Sequence, residues 1–191
     1  SVAGLIDFKT PFKLWHYSRS DAIALGITFI AVLGLGIETG ILTGVVSTVT
    51  MLMWKMSRPH VAEVGRMKDG LGFRNVKRHD VETTPDIFAF RIDESLNFAN
   101  ASFFESHILE QLADRPEVKQ VLFICSGVND IDATGLETLE LLHRELEEIG
   151  VTLYLSDVKG PVTDRFRLAG YDEVFLNEHI FLTATEAFAS L

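Results

Sequence analysis

Val121-Leu122-Phe123-Ile124-Cys125 is a run without a polar side chain. It is followed by Asn129-Asp130-Ile131-Asp132-Ala133-Thr134-Gly135, and then by Leu136, Leu139, Leu142, Leu146 and Ile149 at helical spacing up to Gly150. A continuously apolar run of this length is expected of a strand covered on both faces, whereas the leucines mark one stripe of a helix that glycine ends. The stretch therefore reads as strand, loop, helix. It is the unit from which α/β sheets are built.

Outward from this unit the same alternation repeats. Val151 to Leu155 reads as another strand, and Gly160-Pro161 opens a helix that closes at Gly170, with proline where no N–H is needed. Val174 to Leu176 reads as a short strand, and Thr183 with Glu186 has the spacing that caps a terminal helix. Upstream, Ile87 to Ile92 forms a first strand and Leu96 to Phe98 a short second one. Ser102 and Glu105 have capping-box spacing ahead of Phe104, Ile108, Leu109 and Leu112, which share a helix face that stops before Pro116. Such an order implies a sheet whose later strands are parallel, joined by right-handed crossovers.

The 191 residues carry a formal net charge of −10 and are 47% hydrophobic, but neither property is evenly spread. From Ala22 to Met53 the only formally charged residue is Glu38. As one straight helix this run would be about 48 Å long, well beyond a hydrocarbon core of about 30 Å. Two short helices fit better, with the break near Gly34, Gly36 and Glu38, both ends on one side of the membrane, and spans of about 15 residues that need neighbours to cross. The run is too long for a signal peptide, and no small-residue cleavage site follows it. Gly36, Gly40, Gly44 and Thr48 form a small-residue stripe for close helix packing, either within a larger bundle or between two copies. Glu38 reads either as a group at a hydrated turn or as an intramembrane polar site for proton coupling. Ahead of the run, Phe12, Leu14, Trp15 and Tyr17 alternate with Lys13, His16 and Arg19, as in a segment lying at headgroup depth.

Between Lys55 and Arg78 the basic residues Lys55, Arg58, Arg66, Lys68, Arg74, Lys77 and Arg78 outnumber Glu63 and Asp69, whereas from Asp80 onward acids outnumber bases about three to one. Basic residues at the membrane exit place the C-terminal part of the chain in the cytoplasm. An acidic domain is a poor partner for nucleic acid, whose phosphates need clustered Lys and Arg. The single cysteine, Cys125, cannot close an intrachain disulfide and reads as a packed core thiol without the basic partner a nucleophile needs. The six histidines are scattered singly, with no metal spacing, no Walker loop and no glycine-serine elbow, so no enzyme, cofactor or metal site is expected. The expected organisation is residues 1–20 as an interfacial segment, 21–56 as a transmembrane helical hairpin, 57–85 as a cytoplasmic linker and 86–191 as the α/β domain. Opening on Ser1, the chain reads as the continuation of something longer.

Asp130-Ile131-Asp132-Ala133-Thr134-Gly135 resembles the Asp-x-Ser/Thr-Gly signature of STAS domains, found in sulfate transporters and anti-sigma-factor antagonists, and Val158-Lys159-Gly160-Pro161-Val162 resembles their later Gly-Pro element. Gly36-Ile37-Glu38-Thr39-Gly40-Ile41, then Arg58-Pro59-His60 and Gly65-Arg66, is similar to the last membrane helices and exit linker of SulP or SLC26-like transporters. The resemblance implies a STAS-like mixed sheet with helices, and the C-terminal part of a secondary active anion transporter acting on substrates such as sulfate, bicarbonate or dicarboxylates. It also implies a homodimer, with the remainder of the membrane domain, lipid and a cytoplasmic protein as partners. In the antagonists the residue matching Thr134 is phosphorylated. A helix N-terminus favours that charge, but Asp130 and Asp132 oppose it, so Thr134 reads either as a regulatory site or as a plain helix cap. A membrane-tethered switch of the antagonist kind is the alternative function.

Overall fold

The computed structural model describes residues 9–70, 72–171 and 179–191. It divides into two compact units, Ser1–Lys55 and Met56–Leu191.

The first unit holds helix α1 (Lys9–Tyr17), α2 (Arg19–Leu35) and α3 (Ile37–Met56). Ser18 caps α2, its hydroxyl accepting the Asp21 N–H. Gly36 ends α2 with φ 89°, a conformation that L side chains rarely adopt, so the hairpin turn falls within the expected glycine cluster. At 20 residues α3 is about 30 Å long, so it is long and apolar enough to cross a bilayer by itself, and the expected span of about 15 residues is too short. The glycine stripe divides by role. A methyl on Gly40 would sit 2.6 Å from the Val32 Cα, and one on Gly44 would sit 2.6 Å from the Thr28 hydroxyl, so both glycines seat α3 directly on α2. Gly36 has open space around it in this chain and makes the turn. Hydroxyls in these apolar helices turn back on their own backbone, as Thr28 to the Ala24 carbonyl (2.8 Å) and Thr48 to that of Gly44 (2.9 Å).

The second unit is a sheet with helices on both faces. Its elements are β1 (Val61–Met67), β2 (Phe73–Asn75), β3 (Val81–Glu82), β4 (Ile87–Ile92), α4 (Ala101–Ala113), β5 (Gln120–Ile124), α5 (Ala133–Glu148), β6 (Thr152–Ser156), α6 (Gly160–Leu168), β7 (Ile180–Phe181) and α7 (Ala184–Ser190). The strand order is β2-β1-β4-β5-β6-β7, with β3 also on β1; β4 through β7 are parallel and β1 is antiparallel to β4. Alternation along β4 and β5 divides the core. Phe88, Phe90, Ile92, Val121 and Phe123 face α4, α5 and α6, while Ile87, Ala89, Leu122 and Ile124 face α7 together with Ala62 and Val64 of β1. The Phe90 and Phe123 rings stack at 4.9 Å, and Phe104 of α4 leans on both.

Three local expectations change. Residues 57–85 are not a linker: they contain β1, β2 and β3, and the domain begins directly after α3. Glu63, Gly65 and Arg66 make β1 look polar, but Ala62 and Val64 are buried, and Glu63 takes both arms of Arg115 at 2.9 and 2.8 Å. Leu96 to Phe98 is not a strand; Leu96 makes a single parallel bridge to Ile131. Asn100, not Ser102, precedes α4, and its fully buried amide is spent on the turn, accepting the Asn97 N–H and donating to the Ser95 carbonyl. Val174 to Leu176 lies outside the described residues.

Two features of this packing can be tested by mutation. The Arg115 guanidinium also stands 5.0 Å over the Phe88 ring, so Arg115→Ala should cost about 1–3 kcal/mol in chemical denaturation of the chain in detergent, more than a surface ion pair would. His143 is buried on α5, edge-on to His179 at 5.5 Å. Burial pulls its pKa below the ordinary imidazole value although Glu147 opposes the shift. The unfolded chain therefore binds this proton more readily, and stability is full above the ordinary histidine range and falls as pH drops through it. Between about pH 7.5 and 5.5, His143→Gln should flatten the loss of Tm relative to the parent chain.

Candidate functional site

The loop between β5 and α5 is held by close backbone approach and by hydrogen bonds to the segment after β4. After β5 the chain makes a 3-10 turn over Cys125–Gly127, and a methyl on Gly127 would collide with the Ile92 carbonyl oxygen. Asp130 donates its N–H to the Ser95 hydroxyl (3.2 Å) and Asp132 its N–H to the Leu96 carbonyl (3.1 Å). Gly135 is required by the same close approach, since a Cβ there would lie 2.7 Å from that carbonyl oxygen. Glycine in the Thr-Gly pair therefore lets the first turn of α5 lie against the residues after β4.

The structure separates the three residues picked out in this loop. Asp132 is the helix cap: one carboxylate oxygen accepts the Gly135 N–H at 2.8 Å and the other the Phe98 N–H at 2.9 Å. Thr134, for which capping is one reading of the sequence, is not the cap and stands exposed in the first turn of α5. Asp130 is also exposed, with one oxygen 3.9 Å from Arg165 Nε on α6. Asp130, Asp132, Leu136, Arg165 and Leu168 line a shallow pocket of about 340 Å³ beside the helix start. Lys159 reaches across from the start of α6 to the Asn129 side chain at 2.6 Å. By sequence alone, two acids oppose a phosphate at Thr134. In the fold one acid is spent on backbone N–H groups and the other has an arginine nearby. Sequence reasoning misses Arg165 and Lys159 because they belong to the next crossover, and only the Gly-Pro element hints at its position.

Cys125 is 2% exposed and its thiol pKa is pushed far up by burial, so it is a core group without nucleophilic character at neutral pH. Glu38 lies exposed in the first turn of α3, where the helix dipole favours a carboxylate. Among the described residues no cluster of His, Cys, Asp and Glu could hold a metal ion.

A mixed sheet with four parallel strands, whose central loop presents an exposed threonine at a helix start, defines a STAS-type module. The family model described as the STAS domain matches residues 78–187, and the chain belongs to that family. The likeness to known proteins reaches further than the module. High affinity sulfate transporter 2 of Stylosanthes hamata is 25% identical over 200 residues, which covers all of this chain and 30% of that protein. The chain thus spans about a third of the length of such relatives. The murine Solute Carrier 26 family member A9 anion transporter in its inward-facing state shares the fold with a TM-score of 0.87 at 19% identity, over 96% of this chain and 30% of that one. A sulfate transporter family protein from Wolinella succinogenes matches with a TM-score of 0.51 and 22% identity, over 58% of this chain and 88% of that one. The likeness to these transporters takes in the apolar hairpin as well as the STAS unit.

These assignments of cap and exposed hydroxyl are separable by mutation. Asp132→Ala should destabilise the α/β unit by about 1–2 kcal/mol, because two backbone donors lose their acceptor. Thr134→Ala should change stability by less than about 0.5 kcal/mol. Equal losses would return the cap to Thr134.

Proposed function

We propose that this chain is the C-terminal region of a secondary active anion transporter of the sulfate type, with the STAS domain as its regulatory and interaction module. The supporting observation is the extent of the likeness: similarity to a sulfate transporter covers 100% of the chain, hairpin included, whereas the STAS match alone covers residues 78–187. A free switch of the antagonist kind has no use for an apolar helix pair. In this reading α2 and α3 are the last membrane-embedded helices, packed against lipid and the rest of the transporter. The exposed apolar side chains of Phe29, Leu33, Leu42 and Val46 are the surface that such neighbours cover.

The basic residues from Lys55 to Arg78 support a cytoplasmic location for the second unit by the positive-inside rule. Gly40 and Gly44 are occupied within the hairpin, which argues against a homodimer seam along that stripe; a transporter homodimer would use other surfaces. Glu38 fits a hydrated turn at the start of α3 without a role in proton coupling. Thr134 is the regulatory position, with the α5 N-terminus and Arg165 as the groups that would receive added negative charge. Its target is a cytoplasmic protein or the transporter's own helices, and no catalytic step is assigned to the chain.

Transport belongs to the complete protein, and the test is uptake of radiolabelled sulfate by cells lacking their own sulfate uptake. Expression of the complete protein should restore saturable uptake, and deletion of residues 57–191 should reduce it. Absence of uptake of sulfate, bicarbonate and dicarboxylates by protein shown to reach the membrane would overturn the transporter reading.

A further inference from the structure

We propose that a second cleft in the STAS unit, on the α7 face of the sheet, binds a small inorganic oxyanion of the sulfate or phosphate class. The cleft has a volume of about 370 Å³ and opens at the carboxyl ends of β4, β5 and β6, the place where open α/β sheets bind ligands. Its polar lining comprises Arg74, Arg91, Ser126, Asp157, Thr183 and Thr185. The lining carries two arginines, Arg74 and Arg91, the second sharing its charge with Asp93, against one aspartate, Asp157.

Arg91 is the group around which the site is built. It is the fifth residue of β4 and pairs in register with Ala62 on one side and Ile124 on the other, both of which belong to the α7-side core, so its side chain rises on that face. Its Nε donates to Asp93 at 2.7 Å, and Asp93 also takes His60 Nδ1 at 3.0 Å. Burial raises the Asp93 carboxyl pKa, but these two bonds outweigh it and hold the group below the ordinary range, so the carboxylate stays charged and orients the guanidinium. The two terminal nitrogens of Arg91 remain as a pair of parallel donors, the arrangement that suits an acceptor with several oxygens better than a halide. Thr183 accepts the Glu186 N–H at 3.2 Å, so its own O–H is left to donate, and Ser126 and Thr185 are exposed hydroxyls beside it. Asp157 opposes an anion. One of its oxygens accepts the Ala184 N–H at 2.9 Å, and its backbone has φ 54°, which asparagine adopts as readily as aspartate.

The cleft lies on the opposite face of the sheet from the Thr134 loop and does not depend on the transporter reading. The test uses the 191-residue chain in nanodiscs, with equilibrium dialysis of radiolabelled sulfate at low ionic strength. Saturable binding is expected, with displacement by inorganic phosphate. Arg91→Gln should weaken it by roughly 10-fold or more, as loss of a charge-assisted pair does, while Arg91→Lys should retain part of it. Asp157→Asn keeps the acceptor for Ala184 and the backbone geometry, so it should tighten binding several-fold, an effect that a merely structural role would not produce. The proposal fails if no saturable binding occurs at millimolar sulfate, if a folded Arg91→Gln variant binds like the parent, or if Asp157→Asn weakens binding.

Discussion

The pairing of β4 with β5 is the constraint on which the α/β unit rests. Both strands are largely buried on both faces, so each apolar residue of Ile87–Ile92 and Val121–Ile124 is committed to one of two cores by alternation, Arg91 alone being polar. The stacked Phe90 and Phe123 rings set the spacing at which α4 and α5 lie across the sheet. A slip of one residue by either strand would carry its ring to the α7 side, where alanines occupy much of the space. Register is therefore set by side-chain volume as well as by backbone hydrogen bonds.

From that register come two clefts at one end of the sheet. Parallel strands deliver their carboxyl ends to the same edge, so the chain after β5 and the chain after β6 emerge side by side, one turning toward α5 and the other toward α6. On one face the result is an exposed threonine at a capped helix start. On the other it is an arginine steered by a charged carboxylate. Asp132 and Asp93 play like parts: each gives both oxygens to fixed donors, and each holds a neighbour in place. Acidic composition here is not diffuse solvation, because these carboxylates are structural.

The hairpin obeys a different rule. In the proposed membrane setting there is no gain from burying leucine against leucine, and contact between α2 and α3 relies on the absence of side chains at Gly40 and Gly44. Exposed apolar residues elsewhere on these helices suit that proposed setting. That two such dissimilar units occur in one chain accounts for why its mean composition describes neither.

Much of the fold was legible from local pattern. Runs such as Val121–Cys125, the leucine stripe of α5, the Gly-Pro opening of α6 and the Thr183 cap are decided within a few residues, where periodicity and capping chemistry act. The turn at Gly36 and the core character of Cys125 belong to the same class. What only the tertiary structure decided are partnerships between distant residues: β1 as a strand, because Glu63 meets Arg115; Asp132 rather than Thr134 as the cap, because Phe98 supplies a second donor; Arg165 beside Asp130, and Arg91 facing α7. A polar residue's free energy depends on whether a partner waits where the chain folds back, and neighbours in sequence carry no record of that.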